Sequence, residues 1–169
     1  MRPNFASVYL GGLILALVAH LVVPLSARAA QPDSYSIQFE WSFTDDSTCA
    51  FPIVLSTVAV ATVRDFFDQD GHYLRSSVHV TDISAVTNPA NQKSVSGKDN
   101  WINTFDSRTG QQAVHGLFLA LTIPGAGVVV LDAGTIHIGP APDYAITFSA
   151  GHHEVYWQGD VGSLCAALS

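Results

Sequence analysis

The stretch Ile37-Gln38-Phe39-Glu40-Trp41-Ser42-Phe43 alternates apolar and polar residues without a break. Successive side chains of a β-strand point to opposite faces, so the four apolar residues of this stretch share one face. The pattern predicts a half-buried strand near the start of the folded chain.

The segments that follow have the same character. Stretches rich in Val, Ile and Thr are separated by Gly, Pro, Asn and Asp, which is typical of strands joined by turns. We interpret Gly97-Lys98-Asp99-Asn100 as a turn and Asp132-Ala133-Gly134 as an interruption of a strand. The further predicted strands are 53–63, 73–80 (with a continuation to 86 beyond a bend as an alternative), 92–96, 101–105, 111–123, 128–131, 135–138, 144–149 and 155–157, and one helical turn is predicted over 164–168.

The order of these segments predicts the fold class. No window after residue 30 keeps the 3.6-residue period of an amphipathic helix, and no long crossover separates neighbouring strands. We therefore predict an all-β fold in a single antiparallel domain. Consecutive hairpins favour an up-and-down β-barrel over a β-sandwich.

The first 29 residues differ from the rest of the chain. Arg2 precedes an uncharged apolar stretch that His20 interrupts, and Ala27-Arg28-Ala29 follows it. A positive start, an apolar stretch and small residues are typical of a secretory signal peptide. We predict a signal peptide over 1–29 and one secreted, extracellular domain over 30–169. An uncleaved membrane anchor is the alternative, because the apolar stretch approaches the length that spans a bilayer.

Cys49 and Cys165 are the only cysteines of the chain. An even number of cysteines in an exported protein favours a disulfide bond. This bond would join the loop after the first strand to the last residues of the chain. Two buried free thiols are the alternative, and two cysteines are too few for a metal site built from cysteine alone.

The charge balance excludes two classes of partner. The chain has 14 Asp and Glu against 7 Lys and Arg, and a net charge of −7 at pH 7. Nucleic acids and anionic membrane surfaces are bound by clustered cations, which this chain does not offer. We expect no nucleic acid partner and no stable membrane insertion once the signal peptide is cleaved.

Fragments scattered along the chain carry a resemblance through their order. They are Cys49-Ala50-Phe51-Pro52, Thr87-Asn88-Pro89 with Lys93-Ser94-Val95 and Gly97, Leu131-Asp132-Ala133-Gly134-Thr135, Phe148-Ser149-Ala150-Gly151-His152-His153, and Leu164-Cys165-Ala166-Ala167-Leu168. In this order they resemble a family of small secreted actinobacterial proteins whose function is uncharacterised. The family often carries Gly where this chain has Gln92, and a residue other than His at His152. The resemblance implies a signal peptide, a β fold and a Cys49–Cys165 pairing, and it implies no activity.

Histidines are the residues that hint at chemistry. Neutral imidazole is a common metal ligand and a general base near neutral pH. His79, His115 and His137 fall in three different predicted strands, so together they are a candidate site for Zn²⁺ or Cu²⁺. Alternation places His79 and His137 away from the apolar face and His115 on it. We expect no other cofactor.

Two further clusters favour a structural interpretation. Gly151-His152-His153-Glu154 lacks the spacing of a helical His-Glu-x-x-His zinc motif, so we expect a surface turn there. Asp65, Asp68 and Asp70 lie near a turn that resembles part of a calcium loop. No further acid follows at the spacing of a complete loop, so a turn with solvated acids is favoured.

No catalytic motif is present, and the sequence supports three functional hypotheses. The first is a non-catalytic module that binds a small apolar ligand or a surface, with His115 and Trp101 as candidate ligand-binding residues. The second is a barrel enzyme of the isomerase or cyclase type acting on an apolar substrate, with His115 or a buried Asp in the reaction. The third is a secreted metal-binding protein that uses the three strand histidines. We favour the first.

Overall fold

The computed structural model describes residues 31–153 and 161–169. The predicted signal peptide over 1–29 and the predicted strand over 155–157 lie outside the described residues. No helix within the described ranges is long and apolar enough to cross a membrane. The elements are β1 (Asp33–Asp45), β2 (Ile53–Phe67), β3 (Tyr73–Thr87), β4 (Ser94–Asp106), β5 (Gln112–Ile123), β6 (Gly127–Ile138), β7 (Ile146–His153) and the helix α1 (Gly162–Leu168).

The strands form one sheet in the order β1-β2-β3-β4-β5-β6-β7, and every neighbouring pair is antiparallel. The prediction of an all-β, up-and-down, single antiparallel domain is confirmed, and so is the short C-terminal helix. Within residues 31–153, β1 and β7 do not pair with each other, so the described sheet is not closed into a barrel. The preference for a barrel over a sandwich stays a prediction.

Two strands run through segments that we interpreted as breaks. β4 is continuous from Ser94 to Asp106, and β6 is continuous from Gly127 to Ile138. The predicted turn over 97–100 is therefore wrong. Each of its four residues is paired with β3, and pairing within a wide sheet outweighs the local turn preference of Gly, Asp and Asn.

The sheet has one buried and one exposed face. In β1, the four apolar residues of the opening stretch are half-buried, and the polar residues between them are exposed, as predicted. In β2, Leu55 and Ala59 are buried, whereas Val58 and Val60 are exposed. We call the buried side of the sheet the inner face and the other side the outer face.

α1 fills one end of the inner face, which we call the plugged end. The helix lies against β4 and β6, and Leu164 and Leu168 are buried. The predicted disulfide is present and ties Cys165 of α1 to Cys49 in the loop after β1. The disulfide therefore joins the loop after β1 to a helix that lies on β4 and β6. The strand residues of this apolar cluster are Ile53, Leu55, Val86, Val95, Leu119, Leu121 and Val130.

The turn between β3 and β4 binds the end of α1. The side-chain amides of Asn88 and Asn91 both donate to the carbonyl oxygen of Leu168, at 3.0 and 2.9 Å. They satisfy an acceptor that a helix C-terminus leaves without an intrahelical donor. In the same turn Gln92 has a φ of 61°, a conformation that favours glycine.

A bulge in β5 reverses the residues that face inward. Phe118 is an extra residue between Leu117 and Leu119 in the pairing with β6, and both Phe118 and Leu119 are buried. His115, on the other side of the bulge, is therefore exposed on the outer face. Our expectation that His115 faces inward is wrong, because it assumed unbroken alternation through β5.

Aromatic side chains gather at the opposite end of the sheet from α1. Tyr73 lies between Phe67 and Phe105, with ring centroids 5.9 and 6.5 Å away. Tyr35 of β1 lies near the same end of the sheet, and Tyr35 and Tyr73 are each 36% exposed. We call this the aromatic end, and it is more open to solvent than the plugged end.

Candidate functional site

Four titratable side chains lie side by side across the middle of the inner face. Asp82 of β3 pairs in register with Asp99 of β4, and Asp132 of β6 pairs with His153 of β7. β5 crosses between the two pairs, and its Leu119 is in register with Asp132. The four side chains are between 0% and 8% exposed. We call them the titratable row.

Asp99 is held by one backbone donor and by its neighbour. The N–H of Ala120 donates to Asp99 Oδ1 at 2.7 Å. Asp99 Oδ2 has no donor among the described residues, yet the carboxyl lies within hydrogen-bond reach of Asp82. Two adjacent carboxylates repel each other, so one proton lies between them. Asp99 satisfies both oxygens when it is the protonated partner and donates to Asp82.

The environment of Asp99 stabilises its protonated form. Burial, followed by the hydrogen bond and the negative charge of Asp82, raises the pKa of Asp99 to about 8. The hydrogen bonds from Ala120 and Ser84 act in the opposite direction and are weaker influences. At neutral pH the row therefore contains a neutral carboxylic acid beside a carboxylate, which is a donor and an acceptor in one place.

Two side-chain donors contact the Asp82 carboxylate. Trp101 Nε1–H donates to Asp82 Oδ2, and the Ser84 hydroxyl donates to Asp82 Oδ1, both at 3.4 Å. Ser84 Oγ is also 3.1 Å from Thr57 Oγ1. Asp82 is therefore the hydrogen-bonded neighbour to which protonated Asp99 donates.

The second pair of the row is formed by Asp132 and His153. His153 Nδ1 lies 3.6 Å from Asp132 Oδ1, and His153 Nε2 lies 3.3 Å from the carbonyl oxygen of Ala150. A carbonyl only accepts, so Nε2 is the donor in that contact. The ring of His153 is nearly parallel to that of Phe118, with centroids 5.8 Å apart.

Glycine permits the close approach of β6 and β7 beside this pair. Gly134 and Gly151 are in register, with φ of 148° and 122°. A Cβ added to Gly134 would lie 2.1 Å from the carbonyl oxygen of Ala150, and one added to Gly151 would lie 2.3 Å from that of Ala133. Side chains at either position would force the strands apart and separate Asp132 from His153.

Two residues extend the site from the row toward the aromatic end. Trp101 follows Asp99 by two positions on the inner face of β4, is half-buried and packs against apolar clusters on both sides. Asn103 follows two positions later and is 2% exposed. Its amide donates to Gln112 Oε1 at 3.2 Å, but its Oδ1 has no hydrogen-bond donor among the described residues. A buried carbonyl oxygen without a donor is costly and is a natural contact for a ligand.

The predicted ligand-binding pair is divided between the two faces. Trp101 belongs to the inner face and contacts the titratable row. His115 lies on the outer face, where its Nδ1 is 3.0 Å from Thr135 Oγ1. These two residues therefore do not line one site.

The predicted metal triad is brought only partly together. The ring centroids of His115 and His137 are 6.1 Å apart on the outer face. His79 is separated from His115 by strand β4, because both are in register with Ile102. His79 Nε2–H donates instead to Asn100 Oδ1 at 2.8 Å.

The acidic turn between β2 and β3 is stabilised by its own hydrogen bonds. Asp68 accepts the N–H groups of Asp70 and His72 and contacts the His72 ring. The backbone N–H of His72 is the largest influence lowering the pKa of Asp68. Asp68, Asp70 and His72 present ligand atoms within 4.8 Å of one another, whereas Asp65 lies in β2 and is not part of that group. The arrangement is that of an exposed turn.

The sequence alone predicts none of the four residues of the titratable row as a site residue. Asp99 and Asp132 each lie two residues from a glycine, in segments that we interpret as breaks in strands, and His153 lies in a predicted surface turn. The alternation of the strand does predict that Asp99 faces inward. Asp99 is separated from Val95 and Trp101 by an even number of positions, so the three side chains lie on one face of β4. Asp132 likewise shares parity with the buried residues Val130 and Ile136.

Comparison of this chain with protein-family models, with curated proteins and with solved structures gives no match.

Proposed function

We propose that this chain is an exported β-domain protein that binds a small ligand on its inner face without chemically changing it. The observation that carries the proposal is the titratable row together with Asn103: polar groups lie deep in an apolar face, and Asn103 Oδ1 has no hydrogen-bond donor among the described residues. Buried polar groups destabilise a core unless they are fully hydrogen-bonded. Apolar side chains at these four positions would therefore give a more stable core.

The surroundings of the row suggest the chemistry of the ligand. Trp101 is half-buried beside the row, and Phe39 and Phe118 belong to the apolar clusters that Trp101 joins. Asn103 Oδ1 supplies a buried acceptor that has no donor among the described residues. A ligand with an apolar body and one hydroxyl group would match this site, since the hydroxyl can donate to that oxygen. Entry would be from the aromatic end, because α1 fills the other end.

Export is part of the proposal. The segment over 1–29 is typical of a signal peptide. The Cys49–Cys165 disulfide agrees with an oxidising compartment, in which such bonds persist. Membership of the secreted actinobacterial family is also part of the proposal. Fragments of this chain that resemble the family contact one another in the fold, since Asn88 contacts Leu168 and Asp132 lies beside His153.

The test compares alcohols with ethers of equal length. Nile red, a neutral apolar dye, is bound to the protein and then displaced by 1-octanol or by heptyl methyl ether. We expect the alcohol to displace the dye at a concentration at least tenfold lower, because the ether leaves the acceptor of Asn103 without a donor. Asn103→Leu should remove that preference.

Val58→Ser is the matched control, because Val58 is apolar, 47% exposed and on the outer face. Dye binding and the alcohol preference should be unchanged in this variant. Equal affinity for alcohol and ether, absence of dye binding, or loss of dye binding in Val58→Ser would each contradict the proposal.

A second candidate function rests on the raised pKa of Asp99. A carboxylic acid that is protonated at neutral pH and lies beside a carboxylate can act as a general acid toward an apolar substrate, as an isomerase or cyclase requires. This function predicts that Asp99→Asn retains ligand affinity and abolishes turnover of the bound ligand. A ligand recovered unchanged after incubation with the wild-type protein would exclude it.

A further inference from the structure

The outer face carries a pair of histidines that the proposed ligand site does not use. His115 of β5 and His137 of β6 are both exposed, and their ring centroids are 6.1 Å apart with the planes at 80°. They lie diagonally across one antiparallel pair of strands, since His115 is in register with Thr135, two residues before His137. Diagonal neighbours on one face of a sheet are within reach of each other's side chains.

The spacing matches what a shared metal ion needs. Zinc–nitrogen distances of about 2.0–2.1 Å place the centroids of two ligating imidazoles roughly 5–6 Å apart. A small rotation of either side chain closes the remaining difference. Strand backbones on both sides hold the two Cα positions, so little entropy is lost when the rings converge.

Each ring is also held by a neighbour. The His115 Nδ1 lies 3.0 Å from Thr135 Oγ1. When the hydroxyl accepts, Nδ1 keeps its hydrogen and Nε2 is left with a lone pair, which is how ligating histidines are usually oriented. The ring of His137 rests on Phe148 at a centroid distance of 5.0 Å. The net charge of −7 favours a cation over an anion at this surface.

We infer that His115 and His137 form a two-histidine site for Cu²⁺ or Zn²⁺ on the outer face, with water completing the coordination. Imidazole suits both ions, and Cu²⁺ is the tighter binder of the two at a given nitrogen site. His79 is not a ligand, because β4 lies between it and His115. The site is independent of the ligand-binding proposal for the inner face.

The test is calorimetric titration of untagged, disulfide-bonded protein with ZnCl₂ and, separately, with CuCl₂ in glycine-containing buffer. We expect one ion per chain, with the Cu²⁺ affinity at least tenfold above that for Zn²⁺. His115→Gln and His137→Gln should each weaken binding of both ions at least tenfold. Thermal unfolding of the metal-free variants should match the wild-type protein, because both side chains are exposed.

Two histidine variants serve as controls. His79→Gln alters an exposed histidine of the same face, and His72→Gln alters the acidic turn that also presents carboxylates. Both should bind each ion within twofold of the wild-type protein. The inference would be overturned if metal binding were lost in His72→Gln or His79→Gln. It would also be overturned if binding were retained in His115→Gln or His137→Gln, or if the wild-type protein bound neither ion.

Discussion

The plugged end and the titratable row occupy the same inner face and are built from opposite chemistry. At the plugged end, Ile53, Leu121 and Leu168 are each 0% exposed and pack against apolar neighbours. A few residues further along the same strands, Asp99 and Asp132 are equally buried. The apolar region gains free energy from burial, whereas the polar region must recover the cost of desolvation through its hydrogen bonds.

The difference assigns separate roles to the two regions. The plugged end has a disulfide, a helix and an apolar cluster, so it can stabilise the whole sheet. The stability of the plugged end allows the row to be buried. A protein whose total free energy of unfolding is about 5–15 kcal/mol can contain few unpaired buried polar groups. We therefore expect substitutions at the plugged end to lower stability more than isosteric substitutions in the row.

The largest expected effect comes from the disulfide. Cys49 and Cys165 are 116 residues apart in sequence, and replacing both by Ser should lower the free energy of unfolding by about 4–5 kcal/mol on the chain-entropy account. Urea unfolding of the double variant measures this loss. Ala166→Ser, an exposed change on the same helix, should stay within about 0.5 kcal/mol of the wild-type protein. A loss below about 1 kcal/mol in the double variant would mean that packing alone holds α1.

The next effect is a cavity at the plugged end. Leu121→Ala removes a side chain that is 0% exposed and should cost about 2–5 kcal/mol, through lost burial and an unfilled cavity. The urea midpoint should fall without a change in slope. Val58→Ala, on the outer face, should cost far less. Similar costs for the two variants would remove the energetic distinction between the buried and the exposed face.

Within the row, hydrogen bonding should matter more than charge. Asp99→Ala leaves the N–H of Ala120 without its acceptor and should cost about 1–3 kcal/mol. Asp99→Asn keeps an acceptor for Ala120 and gives Asp82 a permanent donor, so it should be the milder change by at least about 1 kcal/mol at neutral pH. Equal losses in the two variants would mean that Asp99 does not act as a donor to Asp82.

The architecture was largely predictable from alternation. The period-two pattern of the opening stretch identified β1 and its inner face, and the hairpin spacing identified an antiparallel meander. What alternation could not supply was the bulge at Phe118, because an extra residue in a strand leaves no mark in the polarity pattern of this segment. That single residue is the reason why His115 was assigned to the wrong face.

The site was less predictable, and the reason is physical. Glycine beside Asp or Asn is the common signature of a turn, and Gly97 lies two residues before Asp99. Here the glycine serves close packing instead, since a Cβ at Gly97 would lie 1.4 Å from the carbonyl oxygen of Ala120. Only contacts between distant strands distinguish these two uses of glycine. The pairing of Asp82 with Asp99 is likewise a property of strand register.

The prediction most specific to the row is a pH dependence of stability. The folded pKa of Asp99 is raised to about 8, above its ordinary value of 3.8. Between these values the folded protein holds a proton that the unfolded chain has released. Its stabilising contribution is therefore complete below about pH 4 and is lost as the pH rises toward 8.

The difference in stability between the wild-type protein and Asp99→Asn isolates this contribution. Asp45 and Asp68 have lowered pKa values, so both stay ionised above pH 5 and cancel in the comparison. From about pH 5 to about pH 7.5, the wild-type protein should lose stability relative to Asp99→Asn, which has no proton to release there. Parallel curves for the two proteins would mean that Asp82 and Asp99 hold no shared proton in this pH range. The row would then hold two ionised carboxylates, and its burial would need a cation to balance them.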